Sequence, residues 1–112
     1  MRPSFARLTI VRLRYPTIDD HGADRPDVSA EAERLDVTRC WLEPTQSTED
    51  ADGRLAVSTG YTVDAPALAD ITAMDHVEYA GVEYDVVGEP QRIPSPTGAL
   101  DSVRLTIQRW EG

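Results

Sequence analysis

Apolar residues recur at every second position along much of this chain, which is the pattern of β-strands. The clearest run is Leu55, Val57, Thr59, Tyr61 and Val63, with small or polar residues between them. A period of two places alternate side chains on opposite faces of a sheet. The alternation predicts six antiparallel strands, near residues 7–15, 35–43, 54–64, 76–79, 82–88 and 101–110. We therefore expect an all-β fold, a small antiparallel β-barrel with long polar loops or a sandwich.

Two of these strands form a predicted hairpin. The two residues Ala80-Gly81 separate residues 77–79 from residues 82–86, and Gly81 supplies the positive φ that a tight turn needs. Gly88 and Pro90 then predict the end of the second strand. The alternation also predicts the buried residues of the domain: Leu13, Val37, Trp41, Val57, Tyr61, Val77, Tyr84, Val86, Val103, Leu105 and Ile107.

The first strand changes phase partway along. Leu8 and Ile10 are even-numbered, whereas Val11, Leu13 and Tyr15 are odd-numbered. A β-bulge near Ile10 and Val11 would explain the slip, and bulges help a sheet to curve into a barrel.

The connections between the predicted strands are long and polar. They comprise residues 16–34, 44–54, 64–75 and 89–100. Residues 29–33 and 67–73 have the composition of single helical turns, each too short to be a stable helix alone. Connections of this length in a compact domain usually have a function.

The 112 residues predict one domain of a globular protein with a strongly acidic surface. Twenty acidic residues face eleven basic ones, for a net charge of -9, and all eleven bases are arginine. Residues 1–15 carry four arginines and no acid, while residues 16–75 carry fourteen acids and four arginines. Such a surface repels free nucleic acid and anionic membranes. No run of apolar residues approaches the length of a membrane span, so we expect a soluble protein.

Candidate chemistry along the chain is sparse. The run from Asp19 to Asp24 around His21 has metal-ligand residue types, but the same residues are common in turns. His76 begins a predicted strand and is interpreted as a surface residue. The single cysteine, Cys40, is interpreted as a small core residue rather than a nucleophile.

Other known motifs are incomplete. Asp50 and Asp52 suggest a calcium loop, but Arg54 occupies the next ligand position and no glutamate closes the loop. There is no nucleophile elbow and no phosphate-binding glycine loop. We therefore predict no enzymatic activity, no cofactor and no metal.

Nucleic-acid binding is the main alternative class of function. A small barrel that binds oligonucleotides needs a basic groove with exposed aromatic side chains. The only basic group is Arg2, Arg7, Arg12 and Arg14, while the tyrosines fall on apolar faces. The charge favours protein contacts, although a ligand- or oligonucleotide-binding barrel stays an alternative.

The order of these features resembles the head-closure, or head-to-tail stopper, proteins of long-tailed bacteriophages. The pattern Gly-x-x-Tyr-x-Val-x-Gly-x-Pro over residues 81–90 is its most specific part. The other parts, in chain order, are a strand at residues 8–15 with Asp20-His21-Gly22, Cys40-Trp41-Leu42-Glu43-Pro44 with Ser47-Thr48-Glu49, Asp75-His76-Val77, Thr97-Gly98, and Arg109-Trp110-Glu111-Gly112. A neighbouring head-tail joining or tail-completion protein is the structural alternative.

The resemblance implies a β-barrel that assembles into a homo-oligomeric ring in the virion, after synthesis in the host cytoplasm. Its partners would be portal and adaptor proteins on one side and tail-tube or tail-terminator proteins on the other, with phage DNA passing transiently through the channel and no membrane. Residues 43–54, joining two strands, are the candidate channel loop, and the equally acidic residues 16–34 are a rival. The candidate channel-loop residues are Ser47, Glu49, Asp50, Asp52 and Gly53. The candidate assembly-interface residues are Arg12, Arg14, Asp19, Asp20, Arg109 and Trp110.

Overall fold

Eight β-strands and no helix make up the described part of the computed structural model, which comprises residues 7–51, 54–94 and 101–111. Within these ranges the side chains of residues 20, 46–51, 54–57 and 110–111 are not described. The strands are β1 (Leu8–Arg14), β2 (Thr17–Asp20), β3 (Ala23–Pro26), β4 (Glu33–Ala51), β5 (Arg54–Pro66), β6 (His76–Tyr79), β7 (Val82–Ile93) and β8 (Ser102–Glu111).

Six of the strands close into a barrel in the order β1-β4-β5-β8-β7-β6, with β6 pairing back onto β1. Every neighbouring pair is antiparallel. Strands β2 and β3 form a separate hairpin. The predicted all-β barrel is confirmed, and closure removes the open edges that a sandwich would leave.

The prediction of a loop at residues 16–34 is wrong for most of this segment, because the segment contains the β2–β3 hairpin. His21 and Gly22 connect these strands with φ of 55° and 85°. Two consecutive positive φ values are typical of a type I′ turn, whose twist matches that of the flanking strands. Asp19 Oδ1 accepts a hydrogen bond from the Gly22 N–H at 3.0 Å. The acidic run around His21 is thus accounted for by turn formation.

No helical turn forms at residues 29–33 or 67–73, in contrast to the prediction. Glu33 instead starts β4, because its backbone pairs with Arg14 of β1. The second segment begins with a β-turn, in which the Ala69 N–H donates to the Pro66 carbonyl at 2.9 Å, and ends in another, in which the Asp75 N–H donates to the Thr72 carbonyl at 3.1 Å. A single helical turn is too short to be stable alone, so the backbone of both segments instead adopts the conformation that pairs or packs with the barrel.

The bulge predicted on β1 lies on its partner strand. Leu8 pairs with Cys40 and Ile10 pairs with Val37, so two residues of β4, Thr38 and Arg39, oppose one residue of β1. Arg39 has a φ of 60°. The extra residue changes the phase of β4, and Val37 and Cys40 both become buried.

A second irregularity extends β7 beyond its predicted end. Val87 pairs with Thr106 and Gln91 with Arg104, which leaves residues 88–90 opposite a single residue of β8. Gly88 has a φ of 72°. Gly88 and Pro90 therefore form part of a bulge, and β7 continues to Ile93 rather than stopping.

The barrel interior forms one apolar cluster of buried residues. Its members are Ile10, Val37, Cys40, Leu42, Val63, Ala65, Ile71, Val77, Val86, Val103, Leu105 and Ile107. Seven predicted core residues are buried: Leu13, Val37, Val77, Val86, Val103, Leu105 and Ile107.

Three predicted core aromatics, Trp41, Tyr61 and Tyr84, are only half-buried. Tyr61 and Tyr84 pack against the cluster while remaining partly accessible, as suits a side chain with a polar tip. For Trp41, the bulge in β4 turns the neighbouring Cys40 and Leu42 inward instead. The side chain of Val57 lies outside the described part.

Candidate functional site

A long β-hairpin arm extends from the barrel. It consists of residues 43–62, in which β4 and β5 pair continuously from Glu43 opposite Thr62 to Ala51 opposite Arg54. Because β8 pairs with β5 as far as Val57, only the part of the arm from Glu49 opposite Ala56 outward is two-stranded. At about 3.3 Å per residue, this ribbon is about 26 Å long. The radius of gyration is 15.4 Å, against about 13 Å for a globule of this length. The predicted polar loop at residues 44–54 is therefore largely strand.

Three of the five predicted channel-loop residues lie in the part of the arm that the structure describes. Ser47, Glu49 and Asp50 belong to β4, where they pair with Ser58, Ala56 and Leu55. Their side chains lie outside the described part, and so do Asp52 and Gly53. The backbone register therefore brings three of the five predicted residues onto one paired strand.

Gly60 fixes the base of the arm. It pairs with Thr45 on one side and Gln108 on the other. A Cβ at this position would overlap the carbonyl oxygen of Ile107 and lie 2.8 Å from the Cα of Gln108. Only glycine lets β5 approach β8 this closely, because the obstructing atoms are backbone. The arm is thus joined to the barrel through β8, which follows β5 out to Glu111 opposite Val57.

A charged cluster lies at the opposite end of the barrel, where β1 ends and β4 begins. It comprises Arg12, Arg14, Glu33, Asp70 and Asp75. Arg14 donates to both Asp75 oxygens, from Nε and Nη2, at 2.9 Å each. Arg12 Nη1 donates to Asp70 Oδ2 and to the Asp70 carbonyl at 3.1 Å each, and Arg12 Nη2 pairs with Glu33 Oε1. These bonds tie the segment between β5 and β6 to β1, and Ile71 of that segment packs into the core.

Asp75 is the most buried acid of this cluster, with a side chain only 2% exposed. Burial raises its pKa, but hydrogen bonds from Arg14 and from the Thr72 N–H, at 2.8 Å, outweigh that effect and lower the pKa overall. A hydrogen bond from Arg14 likewise lowers the pKa of Asp70, while the two aspartates raise the pKa of Arg14. All three groups are therefore held in their charged forms.

The predicted assembly-interface residues lie in three separate places. Arg12 and Arg14 belong to the charged cluster, and Arg12 is 2% exposed, so of the two only Arg14 presents appreciable surface. Asp19 and Asp20 lie on β2. Arg109 and Trp110 lie on β8 beside the arm, opposite Thr59 and Ser58. The side chains of Asp20 and Trp110 are outside the described part.

Sequence reasoning missed the acidic members of the charged cluster. Asp70 and Asp75 lie 56 to 61 residues from the arginines that bind them. No local pattern marks such a pairing. A strongly apolar strand that contains Arg12 and Arg14 was the only available signal, because buried arginines need carboxylate partners.

The two histidines lie apart. His21 occupies the β2–β3 turn, whereas His76 Nδ1 lies 2.7 Å from Glu83 Oε2 and its ring contacts Tyr15 edge-on at 5.2 Å. The Tyr15 hydroxyl donates to the same Glu83 oxygen at 2.9 Å. Across the described ranges, no three His, Cys, Asp or Glu side chains are arranged to hold a metal ion.

No known protein family and no curated protein matches this sequence. The part of the chain that the structure describes has no helix long and apolar enough to cross a membrane.

Proposed function

We propose that this chain is a structural virion protein of a long-tailed bacteriophage. In this proposal it forms a ring at the head-tail interface, closes the DNA channel after packaging and provides the docking surface for the tail. The observation that carries the proposal is the closed barrel with an acidic β-hairpin arm, in which β4 and β5 pair over about 26 Å. The resemblance to head-closure proteins supplies the biological setting.

The barrel would form the wall of the ring and the arm would extend into its centre. Continuous pairing from Glu43 to Ala51 makes the arm stiffer than a loop of the same length. Copies from several subunits would meet in the channel and obstruct it. Glu49, Asp50 and Asp52 would repel their counterparts, so closure would be readily reversed when DNA leaves. Their negative charge would also prevent tight binding of the DNA that passes through the channel.

The arrangement of the arginines supports a role without stable nucleic-acid binding. Arg12, Arg14, Arg34 and Arg104 are each paired with a carboxylate of the same chain. Such arginines add little to a basic groove for phosphates. Tyr61 lies edge-on to Tyr79 and Tyr84, at 5.3 and 5.8 Å, rather than in an open row for base stacking. In the proposal the protein is not an enzyme and needs no cofactor.

Shortening the arm tests the proposal. Replacing residues 49–56 by a two-residue turn removes the outer part of the arm from both strands and leaves Thr48 opposite Val57, so Gly60 and the barrel strands are kept. We expect the variant to form rings and to bind the portal complex, while filled heads lose their DNA. DNA retention is measured as the nuclease-resistant DNA per head.

Two results would contradict the proposal in different ways. Heads that retain their DNA normally would show that the arm does not close the channel, and the β2–β3 hairpin, the acidic rival, would become the candidate. Failure of the unmodified protein to form rings or to bind the portal complex would contradict the head-tail role itself. Tight binding of single-stranded DNA by the purified protein would favour the oligonucleotide-binding alternative.

A further inference from the structure

An open cleft of about 550 Å³ lies beside the charged cluster, at the end of the barrel where β1 ends and β4 begins. Pro16 and Pro26 from the β2–β3 hairpin form one wall, and Thr72 and Met74 from the segment before β6 form another. The accessible lining is mostly apolar. Met74 is 40% exposed, so part of its side chain is available for contact with a ligand in the cleft. We call this feature the end cleft.

The end cleft carries an excess of negative charge. Its lining includes the carboxylates of Glu31, Glu33, Asp70 and Asp75 but only one guanidinium, that of Arg14. Arg12 lies outside the lining and pairs with Glu33 and Asp70, so four carboxylates face two guanidinium groups. Arg14 is already bonded to both oxygens of Asp75. Glu31 is exposed and makes no ion pair among the described residues. A ligand that combines apolar side chains with a cation would therefore suit the cleft.

The beginning of this chain has that chemistry. Residues 1–6, which lie outside the described part, include Arg2 and Phe5 and contain no acid. The first acidic residue of the sequence is Asp19. Because the remainder of the chain is strongly acidic, few other segments of it pair a cation with an aromatic side chain in the absence of carboxylates.

The direction of β1 places its first residue far from the cleft of its own chain. Leu8 starts β1 and Arg14 ends it beside the cleft, so the two are about 20 Å apart at 3.3 Å per residue. Six extended residues span at most about 20 Å. To enter its own cleft, the segment would have to reverse direction and then cover that full distance. A cleft on a second copy involves no such reversal.

We propose that residues 1–6 of one copy bind in the end cleft of the next, with Phe5 against the apolar walls and Arg2 facing the acidic rim. The contact joins two different surfaces and is therefore heterologous, and repetition with the right rotation closes a ring. This inference builds on the ring of the proposed function and assigns its subunit contact.

A peptide-binding measurement tests the contact. A fluorescent peptide of residues 1–7 is titrated into the full chain carrying Arg2→Glu and Phe5→Ser, which weaken its own segment as a competitor. We expect saturable binding that weakens with added salt. Adding Met74→Ser should weaken binding at least tenfold. The matched control Leu68→Ser, at a residue 90% exposed on the same segment but outside the cleft, should leave binding unchanged.

Three results would overturn the inference: no binding of the peptide, equal binding of a scrambled peptide, or equal loss with Met74→Ser and Leu68→Ser. Its failure is distinguishable from that of the proposed function. Rings that still form with Arg2→Glu and Phe5→Ser would refute the contact and leave the ring in place. Specific peptide binding by a protein that does not associate with the portal complex would refute the head-tail role and leave the contact in place.

Discussion

Removal of the Asp75 carboxylate should destabilise the fold far more than removal of an exposed acid. Asp75 accepts two hydrogen bonds from Arg14 and one from the Thr72 N–H. Its side chain is 2% exposed. Asp75→Ala therefore leaves Arg14 and the Thr72 N–H without their main acceptor. It also removes the bonds that hold the segment containing Ile71, whose side chain packs in the core.

The expected loss is about 3 kcal/mol of unfolding free energy. A hydrogen bond to a charged group contributes about 1.5–3 kcal/mol, and breaking a fully buried ion pair costs about 3–5 kcal/mol. Arg14 is 35% exposed and keeps its contacts with Asp70, so water and Asp70 compensate part of the loss. The matched control is Glu78→Ala, which removes the partner of Arg34; the Glu78 side chain is 29% exposed and the Arg34 side chain 56% exposed, so water reaches this pair. Exposed pairs of this kind contribute less than about 1 kcal/mol.

Urea unfolding at several pH values separates this effect from simple loss of packing. The pKa of Asp75 is lowered in the folded state, so its contribution is complete above the ordinary value of 3.8 and disappears as pH falls through the folded value. The difference between wild type and Asp75→Ala should therefore be largest near pH 7 and shrink in acid. A loss no greater than that of Glu78→Ala, or one independent of pH, would refute this account of the charged cluster.

Three further experiments test the barrel. Gly60→Ala should lower the unfolding free energy by more than about 2 kcal/mol, because backbone atoms of β8 obstruct the new methyl group; an unchanged urea midpoint would contradict the close approach. Ile107→Ala should lower the unfolding free energy by about 2–5 kcal/mol. Val87→Ala, at a side chain 43% exposed, should change it by less than about 1 kcal/mol. Similar losses for the two variants would show that the inward and outward faces of the barrel strands are misassigned. The buried Cys40 thiol should react with a thiol reagent only after unfolding, and rapid labelling of the native protein would contradict its burial.

Local alternation predicted the hairpin of β6 and β7 well. Val77 and Val86 are buried as expected, and Ala80 and Gly81 form the turn with φ of 54° and 80°. The same reasoning misplaced the end of β7, because glycine and proline normally interrupt strands and here lie in a bulge that β8 accommodates. Whether such residues end a strand or bend it depends on the partner strand, which local pattern does not reveal.

The arm and the charged cluster depend even more on distant partners. Residues 44–51 are polar and lack apolar alternation, yet they form strand because residues 54–61 pair with them. Arg12 lies on an apolar strand, but its carboxylate partners Glu33 and Asp70 come from two other parts of the chain. The Asp52-Gly53 sequence predicted a hairpin turn in the acidic segment. No local pattern predicted how far the two strands would pair.

Disulfide cross-linking between arms tests the central claim most directly. Glu49→Cys places a thiol in the outer half of the arm, and Asp36→Cys, on the barrel part of β4, serves as the control. If arms from several subunits meet in the channel, oxidation of DNA-filled heads should link Glu49→Cys subunits to one another, with less linkage once the DNA has left. Asp36→Cys should give no such change. Absence of Glu49→Cys dimers in filled heads, with the protein present at its normal copy number, would contradict closure of the channel by the arms.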